Sequence, residues 1–328
     1  MNIARFVSSY GSLEGVTGVQ YAYVSATERV ALCIGTDGHG RSIQPQTRFP
    51  LYCLAKPVLG LRIAAFAPSV LDVSLSELGV SGSEDSLRNA LDHSACVEPV
   101  TASEFARSNR HVRSTRKFRT LAHAKRRGYL VYSDVTPYVL VERALRLSQP
   151  PASRTYEYLL GDGLEGGGFL LDRHLHDVIA GERIGDHRSG VTMDHRHAAW
   201  YLDLCFPALT SFGSIEQVCQ FTFRSLSAYV EPASETRLEI RSRSRARFSM
   251  FGQHDLHLAP YALPVSDQVF GFVAWARSGV VLVDPTSRSV EGLRMTGLTN
   301  RITPDSGAIS AALEFCRRAA HGGPDSTE

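Results

Sequence analysis

Two runs of β-branched and aromatic residues flank a polar stretch near the start of the chain. In "GVQYAYVSATERVALCIGT" (residues 18–36) they predict two strands around a turn at 25–29. The polar stretch "DGHGRSIQPQ" follows as a loop. The period then changes. "YCLAKPVLGLRIAAF" predicts a helix from Tyr52 to about Ala65, with Pro57 in the first turn, where its missing N–H costs nothing. "SEDSLRNALDHSACV" (83–97) predicts a short helix ending near His93, and residues 102–128 are polar and rich in arginine. "YLVYSDVTPYVLVERALRL" predicts an extended stretch, a turn at Ser133 and Asp134, and a helix to about Leu147. Residues 150–198 hold "GDGLEGGG" and a His-rich run and predict irregular structure. "SFGSIEQVCQFTFRSLS" (211–227) predicts a helix capped by Ser214, with Ile215, Val218, Cys219, Phe221 and Phe223 as its apolar positions. Strand signals fill the last third, in "TRLEIRSRSRARFSMF", "VFGFVAWARSGVVLVDP" and "VEGLRMTGLTN", before a closing helix "GAISAALEFCRRAA". Sheet elements therefore come from both ends of the chain. No internal repeat is visible.

Composition adds bounds. The 328 residues suffice for one large domain or two joined ones, and 43% hydrophobic with 21% charged residues is ordinary for a globular protein. A net charge of +2 implies no general affinity for nucleic acid or membrane. The opening "MNIARFVSSYGSLEG" has no apolar signal-like core, and no run is long enough to span a bilayer, so a cytoplasmic location is expected. The six cysteines form no CxxC pair and are expected as free thiols. Of 35 basic residues only Lys56, Lys117 and Lys125 are lysines, which points to a GC-rich coding background. Against it Lys56 stands out, because a task that needs a neutral amine cannot be done by arginine.

Lys56 follows Cys53 by three residues in "LYCLAKPV". A cysteine at a helix N-terminus has its thiolate favoured by the backbone dipole, and a lysine one turn on lies on the same face. The bland alternative is a small apolar helix residue beside an ordinary lysine.

The order of segments resembles the serine β-lactamase and penicillin-binding-protein superfamily, in particular its class C-like branch of esterases, transacylases and D-amino-peptide hydrolases. "TRFPLYCLAKPV" is similar to the strand-to-helix turn that usually carries S-x-x-K in that branch. "LRNALDHSACV" is similar to its "LLTHTSGL" helix end, and "YLVYSDVTPYVLVERAL" to its Y-S-N stretch and following helix. "PALTSFGSIEQVCQF" is similar to its "GGLFSTAxDLxRF" turn, and "FGFVAWARSGVVLVDP" followed by "LTN" to its final hairpin, which usually begins "FGHxG".

The resemblance implies an α/β (α+β), β-lactamase-like fold: an antiparallel sheet flanked by helices, from residues 1–75 and about 205–328, with a mostly helical and irregular domain (76–204) inserted. The site would lie in the cleft between them. It implies Cys53 as nucleophile, Lys56 as base and Tyr132 as the third member of a proton relay. The oxyanion would be held by the N–H groups of Cys53 and Ala274. Asp134, Phe272 and Trp275 would contact substrate. Three departures matter. Cysteine replaces serine, so the acyl product is a thioester that an amine attacks readily. Phe272 replaces the Lys or His of the third motif, which argues against a penicillin-like or D-alanyl substrate. Asp134 replaces the usual Asn and adds a negative charge that can bind a cationic amine or pair with Lys56.

Other features take a bland reading first. "HLHD" (174–177) and "DHRH" (194–197) have no accompanying metal-ligand spacing and read as solvated loop histidines, so no metal is expected. "RLEIRSRSRARF" (237–248) and the basic run at 107–127 read as solvated faces or as a patch for an acidic partner, such as a carrier protein or a phosphopantetheine arm. Sparse aromatic interleaving argues against nucleic acid. His93 is expected to hold a turn. The expectation overall is acyl transfer from a small-molecule donor through a Cys53 thioester to an amine or alcohol, without organic cofactor. Composition and resemblance together suggest a setting in natural-product or antibiotic biosynthesis. A hydrolase of a small ester, amide or thioester, and a non-catalytic binding module using the same cleft, remain open.

Overall fold

The computed structural model of the chain describes residues 16–36, 42–47, 49–50, 54–100, 104, 115–129, 131, 133, 135–148, 212–230, 262–264, 270–274, 279–284 and 287–297. Strand β1 (Val16–Val24) turns into β2 (Arg29–Gly35) where the Ser25 N–H donates to the Glu28 carbonyl at 2.9 Å. The Ser25 hydroxyl also accepts from the N–H of Glu28 at 3.0 Å, which is why a polar residue opens the turn. From the other end of the chain come β7 (Ala262–Pro264), β8 (Phe270–Ala274), β9 (Gly279–Asp284) and β10 (Ser289–Gly297). Among the described residues these six strands form one sheet, in the order β2-β1-β10-β9-β8-β7, with every neighbouring pair antiparallel. The first and last strands of the described chain thus lie side by side, Ala22 opposite Gly292.

Late in the chain, helix α6 (Ile215–Val230) covers one face of that sheet, packing on β1 and β10, and helix α1 (Ala55–Phe66) packs against α6. Ser214 caps α6 as its sequence predicts: its hydroxyl accepts from the Gln217 N–H at 3.2 Å, and its own N–H donates to the Gln217 side chain at 2.9 Å. Gly292 permits the close seating of α6. A β-carbon there would stand 2.5 Å from Cys219 Sγ and 2.7 Å from an Ile215 side-chain carbon. The opposite face is buried as well, with Val19, Val280 and Leu293 at zero exposure.

Between the two halves of the sheet run α2 (Pro68–Leu71), β4 (Val80–Ser81), α3 (Leu87–Leu91), β5 (Phe118–Arg119), α4 (Ala122–Arg126) and α5 (Thr136–Ser148). β4 and β5 pair in parallel, and α5 packs on α2 and α3. Arg143 of α5 ties this part together, donating to the carbonyls of Leu78 and Arg116 at 2.7 and 2.6 Å and lying over the Phe118 ring. One buried cluster runs from Ala22 and Val24 through α1 and α6 to Leu87, Leu140 and Leu145.

The differences from the sequence reading are local. The helix expected from Tyr52 is described from Ala55, residues 51–53 lying outside the described residues, and ahead of it β3 (Phe49–Pro50) pairs with β6 (Phe212–Gly213). Pro57 remains in the first turn. The helix at 83–97 is confined to Leu87–Leu91, and the basic run contains β5 and α4. The expected strand at 237–248, the histidine pairs and the closing helix lie outside the described residues.

Candidate functional site

Lys56 is the one proposed proton-relay side chain among the described residues. It is the second residue of α1 and only 2% exposed, although a lysine is ordinarily a surface residue. No acidic residue occupies the first turn of α1, and Leu54 offers no side-chain cap. The dipole of a twelve-residue helix is therefore left uncapped by its own side chains at the end nearest Cys53. Deeper in the same helix, Arg62 is buried and stacks 3.5 Å from the Phe66 ring centroid and 5.2 Å from that of Phe221, which couples α1 to α6.

The segment leading to Cys53 is held by Gln20, a residue that sequence reasoning passed over. Gln20 lies on β1 at 1% exposure. Its amide donates to the carbonyls of Gln44 and Thr47 at 2.8 and 3.0 Å, and its oxygen accepts from the Ile215 N–H, at the start of α6, at 3.4 Å. One side chain thus joins sheet, loop and helix. The β3–β6 pair then fixes residues 49–50 against the two residues before Ser214. The available signal was an amide in the middle of the strand "VTGVQYAYV".

In register, Gln20 stands opposite Arg294, Arg294 opposite Gly279, and Gly279 opposite Ala274. The proposed oxyanion residue Ala274 therefore ends β8 in the sheet row that contains Gln20 and the buried Arg294. Phe272 is registered opposite Val281.

Tyr132 and Asp134 lie outside the described residues, but their neighbours are tightly held. The His93 carbonyl accepts from the Val131 N–H at 3.3 Å, with His93 itself in the left-handed region at φ 60°. A non-glycine residue is held there at a cost, so the expected turn-holding role has a concrete form. The Ser133 hydroxyl accepts from the N–H groups of Val135 and Thr136 and opens α5. The Thr136 hydroxyl in turn donates to the Glu98 carbonyl at 2.9 Å and accepts from the Val100 N–H at 3.1 Å. Cys96 Sγ donates to the Tyr129 carbonyl.

Cys53 and Trp275 also lie outside the described residues, and the structure brings no set of the proposed site residues into described contact. Burial pushes the thiols of the three described cysteines, Cys33, Cys96 and Cys219, up, furthest for Cys219, which disfavours the nucleophilic thiolate. Among the described residues no group of His, Cys, Asp and Glu is arranged to hold a metal, and no helix is long and apolar enough to cross a membrane.

No protein-family model matches the chain, and no curated protein matches it by sequence. Solved structures do. SurE with D-Leu superposes with a TM-score of 0.55 at 16% identity, over 99% of this chain and 77% of that one. EstCE1, a hydrolase with promiscuous acyltransferase activity, superposes with a TM-score of 0.54 at 13% identity, over 95% and 97%. The octameric penicillin-binding protein homologue from Pyrococcus abyssi gives 0.54 at 13%, over 99% and 79%. At such identities the likeness is one of fold, and the chain has the β-lactamase-like fold that these structures share.

Proposed function

We propose that the protein is an acyl-transfer enzyme working through a thioester on Cys53. The observation that carries the reading is Lys56: a scarce lysine, 2% exposed, in the first turn of the helix that Cys53 precedes. The fold adds support, since one protein that shares it is described as a hydrolase with promiscuous acyltransferase activity.

In this account the Cys53 thiolate attacks the acyl carbonyl, and the N–H groups of Cys53 and Ala274 stabilise the oxyanion. The leaving group departs with a proton passed through Lys56 and Tyr132. An amine or alcohol then attacks the thioester, its proton returns by the same two groups, and Cys53 leaves as thiolate. Asp134 receives a cationic acceptor, and Phe272 and Trp275 contact the acyl group. These residues meet in a cleft between the sheet domain (1–75, 205–328) and the inserted part (76–204).

The test is mass spectrometry of the intact protein after mixing with a small acyl thioester, followed by addition of an amine. A single acyl adduct on Cys53, absent in Cys53→Ala and discharged to an amide, is expected. An adduct discharged only to acid, whatever the amine concentration, would assign hydrolysis instead. Turnover or ligand binding unchanged in Cys53→Ala, with no adduct on the wild type, would refute covalent catalysis.

A further inference from the structure

Charge in this chain is segregated. Residues 105–127 carry nine Lys or Arg and no Asp or Glu, although the whole chain is only +2, so the remainder holds more acid than base. Two of the three lysines, Lys117 and Lys125, lie in this run. Where the run is described it is a surface. His123, Lys125, Arg126 and Arg127 are exposed along α4 and its end, and the Arg119 side chain is 71% exposed. Three cations are answered by carboxylates: Lys125 by Asp85 at 2.5 Å, Arg116 by Glu104 at 2.9 Å and Arg119 by Glu98 at 3.6 Å. No ion pair to Lys117, Arg126 or Arg127 occurs among the described residues.

Basic residues at the end of a helix complement its dipole, but that effect is satisfied by one or two charges within the last turn. It does not account for a run of 23 residues without an acid. The run also leads somewhere. After Gly128, at φ 66°, the chain passes through the exposed Tyr129 to Val131, which is pinned to His93, and then to Tyr132. Tyr132 lies five residues on from Arg127, so the basic surface ends within about 18 Å of the proposed relay.

We propose that the α4 surface docks an acidic protein that carries the acyl group as a thioester. The inference rests on the acyl-transfer reading for the nature of the cargo. An acidic partner supplies the missing counter-charges at Arg126, Arg127 and Lys117, and docking there fixes its thioester arm near Tyr132. Such charges act mainly on encounter rate and salt dependence.

The test uses the full chain as Cys53→Ala, with an acyl carrier protein as probe, and measures fluorescence anisotropy at low and high salt. Binding that weakens with salt, and about tenfold further in Arg126→Glu/Arg127→Glu, is expected. Equal affinity of the double variant, or tighter binding of a labelled single-stranded DNA than of the carrier, would overturn the docking surface. In parallel, the Cys53 enzyme is given one acyl group either on the carrier or on N-acetylcysteamine. The double variant should lose rate with the carrier donor alone. Equal losses with both donors would refute docking, whereas no turnover with either donor would count against the acyl-transfer reading and leave the binding result to decide the surface.

Discussion

Glu291 pairs a buried carboxyl with a buried tyrosine. Its carboxylate accepts a hydrogen bond from the Tyr21 hydroxyl at 2.7 Å. Burial nevertheless raises its carboxyl above the ordinary value, with the Tyr21 bond opposing, and Tyr21 is itself pushed up, first by burial and then by the nearby Glu291 charge. A carboxyl raised in the folded state binds its proton more tightly there than in the unfolded chain. Its contribution is therefore fully present below the unfolded value of 4.5 and declines as pH rises through the folded one. Glu291→Gln keeps an acceptor for Tyr21 and removes the charge. Urea unfolding should show the variant gaining on the wild type as pH rises above 4.5, and a pH-independent gap would contradict this. At the same scale, Gly292→Ala forces a β-carbon onto Cys219 and Ile215 and should cost about 1–3 kcal/mol in the same assay.

The helices offer opposite tests of one idea. Gly60 sits inside α1, and a β-carbon there meets nothing within 4 Å. Gly60→Ala should stabilise by about 0.5–1 kcal/mol, because it removes chain entropy from the unfolded state without a clash. Ser214→Ala loses a reciprocal cap and should destabilise by about 1 kcal/mol. Thermal unfolding should separate the two by sign. Those elements were legible in the sequence because their cues are local: Ser214 ahead of an apolar period, a polar turn between β1 and β2, a proline in a first turn. Element ends were less so. The β3–β6 pair ahead of α1 joins residues 162 or more apart and leaves no local trace. The short parallel β4–β5 pair is hidden for the same reason.

At the scale of the molecule, sheet strands from both ends of the chain were expected and are found, with β1 and β10 adjacent. The candidate site was legible only through resemblance. Periodicity places Lys56 on a helix, but nothing in "YCLAKPV" foretells its burial. Gln20 went unnoticed because its three roles join segments far apart in sequence. Gln20→Leu leaves those backbone groups without their partner and should cost about 1–3 kcal/mol. If Gln20 positions the approach to Cys53, the variant should also alkylate more slowly at Cys53 while remaining folded. A purely structural role would leave that rate unchanged in the folded fraction.

The most direct test of the central claim, an activated Cys53 paired with Lys56, is the rate of iodoacetamide labelling against pH, read peptide by peptide. Burial pushes the thiols of Cys33, Cys96 and Cys219 up, so their peptides serve as slow internal references. Cys53 should label with an apparent pKa well below ~8.5, the free-cysteine value, and the profile should shift in Lys56→Ala. A Cys53 that resists labelling at every pH in the folded protein, or one whose profile ignores Lys56, would contradict that claim.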